Sequence, residues 1–143
     1  MAGYLLDTPV LSELVKPAPH PAVVSWIDSA NEATLYVSVL TLGELRKGVS
    51  RLPPSERREA LEQWLMHDVA SRFRGRLLPV DAATALEWGA LQGTALRAGA
   101  PLPAVDALIA ASARVHALTV VTRNVRDLER CGVPIVNPWL AAV

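Results

Sequence analysis

Cysteine is almost missing from this 143-residue chain, where Cys131 stands alone. That excludes an intramolecular disulfide and a cysteine-cluster zinc site, and it suits a reducing compartment. Net charge is missing too, with 14 basic residues against 14 acidic ones. A strongly basic nucleic-acid binder of the histone type is thereby excluded, although a locally basic groove is not. Lysine is scarce: Lys16 and Lys47 are the only two, and arginine supplies the remaining positive charge. Arginine's planar fork suits phosphate and carboxylate pairing. No stretch approaches the roughly 20 apolar residues that a membrane-spanning helix needs. The opening MAGYLLDTPV also lacks the basic segment of a secretory signal. A cytoplasmic protein without a membrane contact is the expectation.

Hydrophobic residues make up 51% of the chain and charged residues 20%, a globular balance. The length favours one domain over 1–143, large enough to bury its own core. Brief apolar runs at Tyr4–Leu6, Leu35–Val39, Leu77–Val80, Thr119–Thr122 and Ile135–Val136 read as buried strands. Longer helical patterns lie between them, in the order β-α-α-β-α-α-β-α-α-β-α-β. That alternation predicts a parallel sheet with helices on both faces. The helix starts carry caps: Thr8 before Pro9, a Thr41–Glu44 capping box, Ser55 and Asp81. Pro103 opens a further helix through Ala107, Ala110 and Ala111.

Open parallel sheets bind ligands beyond the carboxyl ends of their strands. Three acidic residues fall at such places. Asp7 ends the first strand, Glu44 opens the helix after the second, and Asp106 sits among Ala104, Val105, Ala107 and Leu108 at a helix start. Thr122-Arg123-Asn124 follows the fourth strand, with Asp127 one helical turn on. Each has an ordinary structural reading as a cap or a helix-terminal charge. Together they make a cluster. Two carboxylates about 5 Å apart repel by about 3 kcal/mol at an effective dielectric of about 20. Such a group calls for a cation or a proton, and oxygen ligands select magnesium or manganese.

The ordered blocks Leu5-Leu6-Asp7-Thr8, Ser38 through Gly48, Leu102 through Ala111, Leu118 through Asn124 and Asn137-Pro138-Trp139 carry a specific likeness. In them the chain resembles a PIN-domain ribonuclease toxin of the VapBC toxin–antitoxin type, over essentially its whole length. The resemblance implies a three-layer α/β/α fold with a short central parallel sheet and a metal-dependent endoribonuclease activity. It implies an acidic site of Asp7, Glu44 and Asp106, with Mg2+ or Mn2+ held by Asp7 and Asp106. Asn124 falls where many relatives have a fourth aspartate, and Asp127 is a partial substitute. Pro9 stands where the family usually has asparagine. An RNA substrate such as a tRNA or rRNA loop, a small cognate antitoxin and a homodimer are implied as partners.

Arg46 and Lys47 beside Glu44, and Arg123 and Arg126 beside Asn124, are candidate RNA contacts. His20, His67 and His116 share no ligand or acid–base spacing, and no glycine loop suits a phosphate. Trp64, Leu65, Trp88 and Leu91 suggest an apolar excess on two helices, available to an interface. A different class of function is a catalytically weak or inactive PIN-like module that binds RNA or a partner. Pro9 and Asn124 favour it, and the retained acidic cluster opposes it, since a purely RNA-binding surface gains nothing from clustered negative charge.

Overall fold

The computed structural model describes residues 2–140. Its strands are β1 (Gly3–Leu6), β2 (Leu35–Ser38), β3 (Leu77–Leu78), β4 (Leu118–Val121) and β5 (Ile135–Val136). All pair in parallel, in the order β3-β2-β1-β4-β5. The chain thus winds one way from β1 to β3 and the other way through β4 and β5. The crevice between the ends of β1 and β4 is where such a reversal leaves room for a site.

Successive strand side chains point to opposite faces, and the two layers of helices are built on that alternation. Leu6 and Val121 face one core, completed by α1 (Thr8–Leu14), α2 (Pro21–Ser29) and α3 (Val39–Ser50). The same core takes Leu65, Val69 and Phe73 from a long helical run. That run is α4 (Glu56–Gln63), a π-helical stretch (Trp64–Val69) and α5 (Ala70–Arg72). Leu5 and Val120 face the other core, against α6 (Ala82–Arg97), α7 (Ala104–His116) and α8 (Val125–Glu129). Small side chains on α7, with Ala107, Ala110 and Ala113 fully buried, let that helix lie close to the sheet. The three-layer α/β/α expectation holds.

Ala117 ends α7 in the left-handed conformation at φ 54°, and β4 begins at the next residue. A non-glycine residue there costs about 1–2 kcal/mol. It buys an abrupt turn that returns the chain directly into the sheet.

Several local expectations are corrected. Thr8 is not a cap: Asp7 is the N-cap of α1, with its Oδ1 accepting from the Thr8 N–H at 2.9 Å. The Thr41–Glu44 capping box does not form. Ser38 takes that duty earlier, accepting from the Leu40 N–H at 3.1 Å, so α3 starts at Val39 and β2 stops one residue short of expectation. Two strands are also displaced, since β3 stops at Leu78 and Thr122 lies just past β4. Ser55 and Asp81 do cap their helices, bonding the N–H groups of Arg58 and Thr84.

The expected apolar excess is placed differently as well. Leu65 is buried at 4% exposure, whereas Trp64 on the first core and Trp88 and Leu91 on the second are only half-buried. The most exposed large apolar side chains are Met66, Leu86, Leu96 and Leu140. Helical spacing showed which residues share a face, but not how far the neighbouring helix overlaps it.

Candidate active site

Asp7 follows the last residue of β1, and its main-chain N–H extends the ladder by donating to the Val121 carbonyl at 3.0 Å. The side chain is 4% exposed and fully engaged. Its Oδ1 takes the Thr8 N–H, and its Oδ2 accepts the hydroxyl of Thr122 at 2.9 Å. Thr122 works in both directions, because its Oγ1 also accepts the Asn124 N–H at 2.9 Å. The Asn124 amide then donates from Nδ2 to Asp106 Oδ2 at 3.1 Å. A continuous polar path therefore joins Asp7 to Asp106, although 99 residues separate them in the chain.

Asp106 comes from the first turn of α7, which runs antiparallel to β4 and so brings its start to the carboxyl edge of the sheet. Glu44 comes from the second turn of α3. Its carboxylate is free of the capping duty expected for it, and it accepts a hydrogen bond from the Thr8 hydroxyl instead. Thr41, fully buried, lies 3.4 Å from the same hydroxyl. Ser38 capping α3 is thus what leaves Glu44 available to the site.

The charges feel one another. Burial pushes the Asp7 carboxyl up to about 6, against the hydrogen bonds from Thr122 and Thr8, and the charges of Asp106 and Glu44 raise it further. Asp106 is raised by burial, eased by the Asn124 amide, and raised again by Asp127 and Glu44. The structure therefore gathers Asp7, Glu44, Asp106, Asn124 and Asp127 at one edge. No lysine or arginine neutralises Asp7 or Asp106 by an ion pair among the described residues.

This donor set suits a hard divalent cation, since every donor is an oxygen and burial strengthens the demand for positive charge. Among the described residues no three carboxylate, histidine or cysteine side chains form a ready-made cage. Magnesium does not require one. It is typically held by one or two carboxylates while keeping several waters.

The PIN domain family pattern matches residues 4–133. The chain belongs to the PIN-domain family, in its VapC toxin branch. It is 38% identical to the VapC ribonuclease Y4jK of Sinorhizobium fredii, over 94% of this chain and 96% of that one. It is 31% identical to the tRNA(fMet)-specific endonuclease VapC of Shigella flexneri, over 97% and 99% of the two chains. A solved structure of FitAB bound to an IR36 DNA fragment superposes with a TM-score of 0.90 at 34% identity, covering 98% of each chain.

The basic candidates do not converge in the same way. Arg46 reaches Glu62 at 3.8 Å, while Lys47 and Arg126 are exposed. Arg123 lies over the ring of Trp139, 4.7 Å from its centroid. Sequence reasoning missed the site roles of Thr8 and Thr122. The available signal for Thr122 was a polar side chain immediately after a buried apolar strand and directly before Arg123-Asn124.

Proposed function

We propose that this chain is a metal-dependent endoribonuclease that hydrolyses RNA phosphodiester bonds as the toxin of a type II toxin–antitoxin pair. The observation that carries the reading is the gathering of Asp7, Glu44 and Asp106 at the β1/β4 crevice without a basic side chain to neutralise them. Its relatives' names support the ribonuclease part.

Asp7 and Asp106 would hold Mg2+ or Mn2+, directly or through water. Bound there, such an ion polarises a phosphoryl oxygen and lowers the pKa of a water. The chain's own groups do the positioning. Thr122 and the Thr8 N–H fix both oxygens of Asp7, the Asn124 amide orients Asp106, and the Thr8 hydroxyl aims Glu44. Glu44 would complete the acidic pocket and orient the attacking water. Asn124 cannot serve as a fourth carboxylate, so one firmly held ion is expected, with a weaker second position drawing on Asp127.

Single-stranded loops are the accessible substrates for such a site, and the expected target is a tRNA or rRNA loop, the name of the Shigella flexneri relative supporting the tRNA part. An antitoxin would inhibit by presenting a basic side chain to the carboxylates. A mainly apolar groove of about 610 Å³ between α3 and the following helical run, lined by Leu42, Gly43, Leu65, Met66 and Ala70 with Arg46 and Glu62, offers its helix a seat. Homodimerisation and a cytoplasmic location complete the proposal. No helix among the described residues is long and apolar enough to cross a membrane.

The test is incubation of the purified chain with total tRNA and rRNA, with EDTA and then with excess Mg2+ or Mn2+. Cleavage that stops with EDTA and returns with the ion is expected. Equal cleavage in EDTA would refute the metal-dependent mechanism.

A further inference from the structure

Arg123 is fixed in place without spending any of its hydrogen-bond donors. Its guanidinium lies over the Trp139 ring at 4.7 Å from the centroid, and among the described residues it forms no ion pair or hydrogen bond. The other ring-stacked arginines differ. Arg72 and Arg76 pack on Phe73, but both are also tied to Glu32.

The platform under Arg123 is itself anchored. Trp139 Nε1 donates to Glu13 Oε1 at 3.3 Å, and Trp139 packs against the first core. Glu13 is 5% exposed and accepts further from Lys16 Nζ and from the His20 N–H, each at 3.1 Å. A carboxylate held by three donors will not readily turn away. The ring is therefore a rigid support.

A guanidinium seated over an aromatic face makes that contact without a hydrogen bond, so its N–H groups remain for a phosphate, which such a fork meets in bidentate fashion. Arg123 stands in the chain between Thr122, which holds Asp7, and Asn124, which holds Asp106. A polyanion approaching an acidic pocket needs positive charge at its rim, and this one is pre-oriented.

We propose that Arg123, held over the Trp139 ring, clamps a phosphate of the RNA strand next to the one being cleaved, with Trp139 as its positioning residue. The inference rests on the ribonuclease reading above and deepens it. Neither residue is needed to fold the acidic pocket, since no hydrogen bond from either side chain reaches it.

The experiment measures binding of a fluorescein-labelled, mixed-sequence 12-nucleotide single-stranded RNA in Mg2+ across a range of salt. The Asp106→Asn chain serves as a background that does not consume the probe. Adding Arg123→Gln should weaken binding about tenfold, the worth of one charge-assisted contact. It should also lower the salt slope by about 0.7, the loss of one phosphate contact on a single strand. Arg123→Lys and Trp139→Phe should fall between the parent and Arg123→Gln. In the native background, Arg123→Gln should raise KM with kcat within twofold, and its melting temperature should stay within a few degrees.

Unchanged affinity and slope in a chain that still cleaves RNA would overturn the clamp and leave the ribonuclease reading standing. So would unchanged RNA binding with weakened capture of a protein partner, which would assign Arg123 to an acidic segment of that partner. A native chain that neither binds nor cleaves RNA would overturn both.

Discussion

Replacing Asp7 by asparagine should stabilise the metal-free protein at neutral pH while abolishing its activity. In the fold the Asp7 carboxyl titrates at about 6 rather than 3.8, with burial as the main cause. The folded chain therefore holds this proton more tightly than the unfolded one. Stability from the group is fully present below about 4 and is lost as the pH rises through about 6. Over that interval, at about 1.4 kcal/mol per pH unit, ionised Asp7 costs the folded state about 3 kcal/mol by pH 7. Asparagine keeps an oxygen to cap the Thr8 N–H but cannot accept the Thr122 hydroxyl through its amide nitrogen. Allowing about 1 kcal/mol for that loss leaves a net gain of about 2 kcal/mol.

The assay is urea unfolding of both proteins in EDTA from pH 4 to 7.5, read as the difference between them. The difference isolates Asp7 from carboxyls such as Glu32, which Arg72 holds below its ordinary value and which act in the opposite sense. The variant should be about equal to or slightly less stable than the native chain near pH 4, and more stable at pH 7. Added Mn2+ should then close the gap by stabilising only the native chain. A difference that does not change with pH, or a variant destabilised at pH 7, would refute the reasoning.

Other outcomes follow from packing and backbone geometry. Leu65→Ala should destabilise the isolated chain by about 2–5 kcal/mol in chemical unfolding, because Leu65 belongs to the core; a loss under 1 kcal/mol would return it to an interface. Ala117→Gly should add about 1 kcal/mol by relieving the left-handed residue, raising the melting temperature by a few degrees. Pro9→Asn should leave stability within about 1 kcal/mol and raise turnover, since the second residue of α1 has no intrahelical partner for its N–H and a polar side chain beside Asp7 can support the site. Unaltered turnover at saturating metal would make that position neutral.

The sheet was legible in the sequence because its strands are short, apolar and separated by helical spacing. The alternation of Leu5 with Leu6 and of Val120 with Val121 shows both faces buried. Asp7 stood out because it ends a buried strand at the sheet's carboxyl edge, and Asp106 because a charge inside an apolar run is costly to bury. What stayed hidden was competition among local polar groups. Ser38, Thr41 and Glu44 offer alternative caps, and only the fold shows that Ser38 wins and Glu44 is released to Thr8. Likewise the sequence could not show that Thr122 and Asn124 join Asp7 to Asp106, because those bonds cross 18 to 115 residues of chain. The tie from Trp139 to Glu13 crosses 126 residues.

The central claim, that Asp7 and Asp106 together hold a divalent cation, is tested most directly by an electron paramagnetic resonance titration of Mn2+. The native chain and Asp106→Asn would be compared in the same buffer at pH 7. One firmly held ion per native chain, weakened at least about tenfold in the variant, is the predicted result, since Asp106 supplies one of the few protein ligands that such an ion takes. Equal binding by the two proteins would contradict the claim.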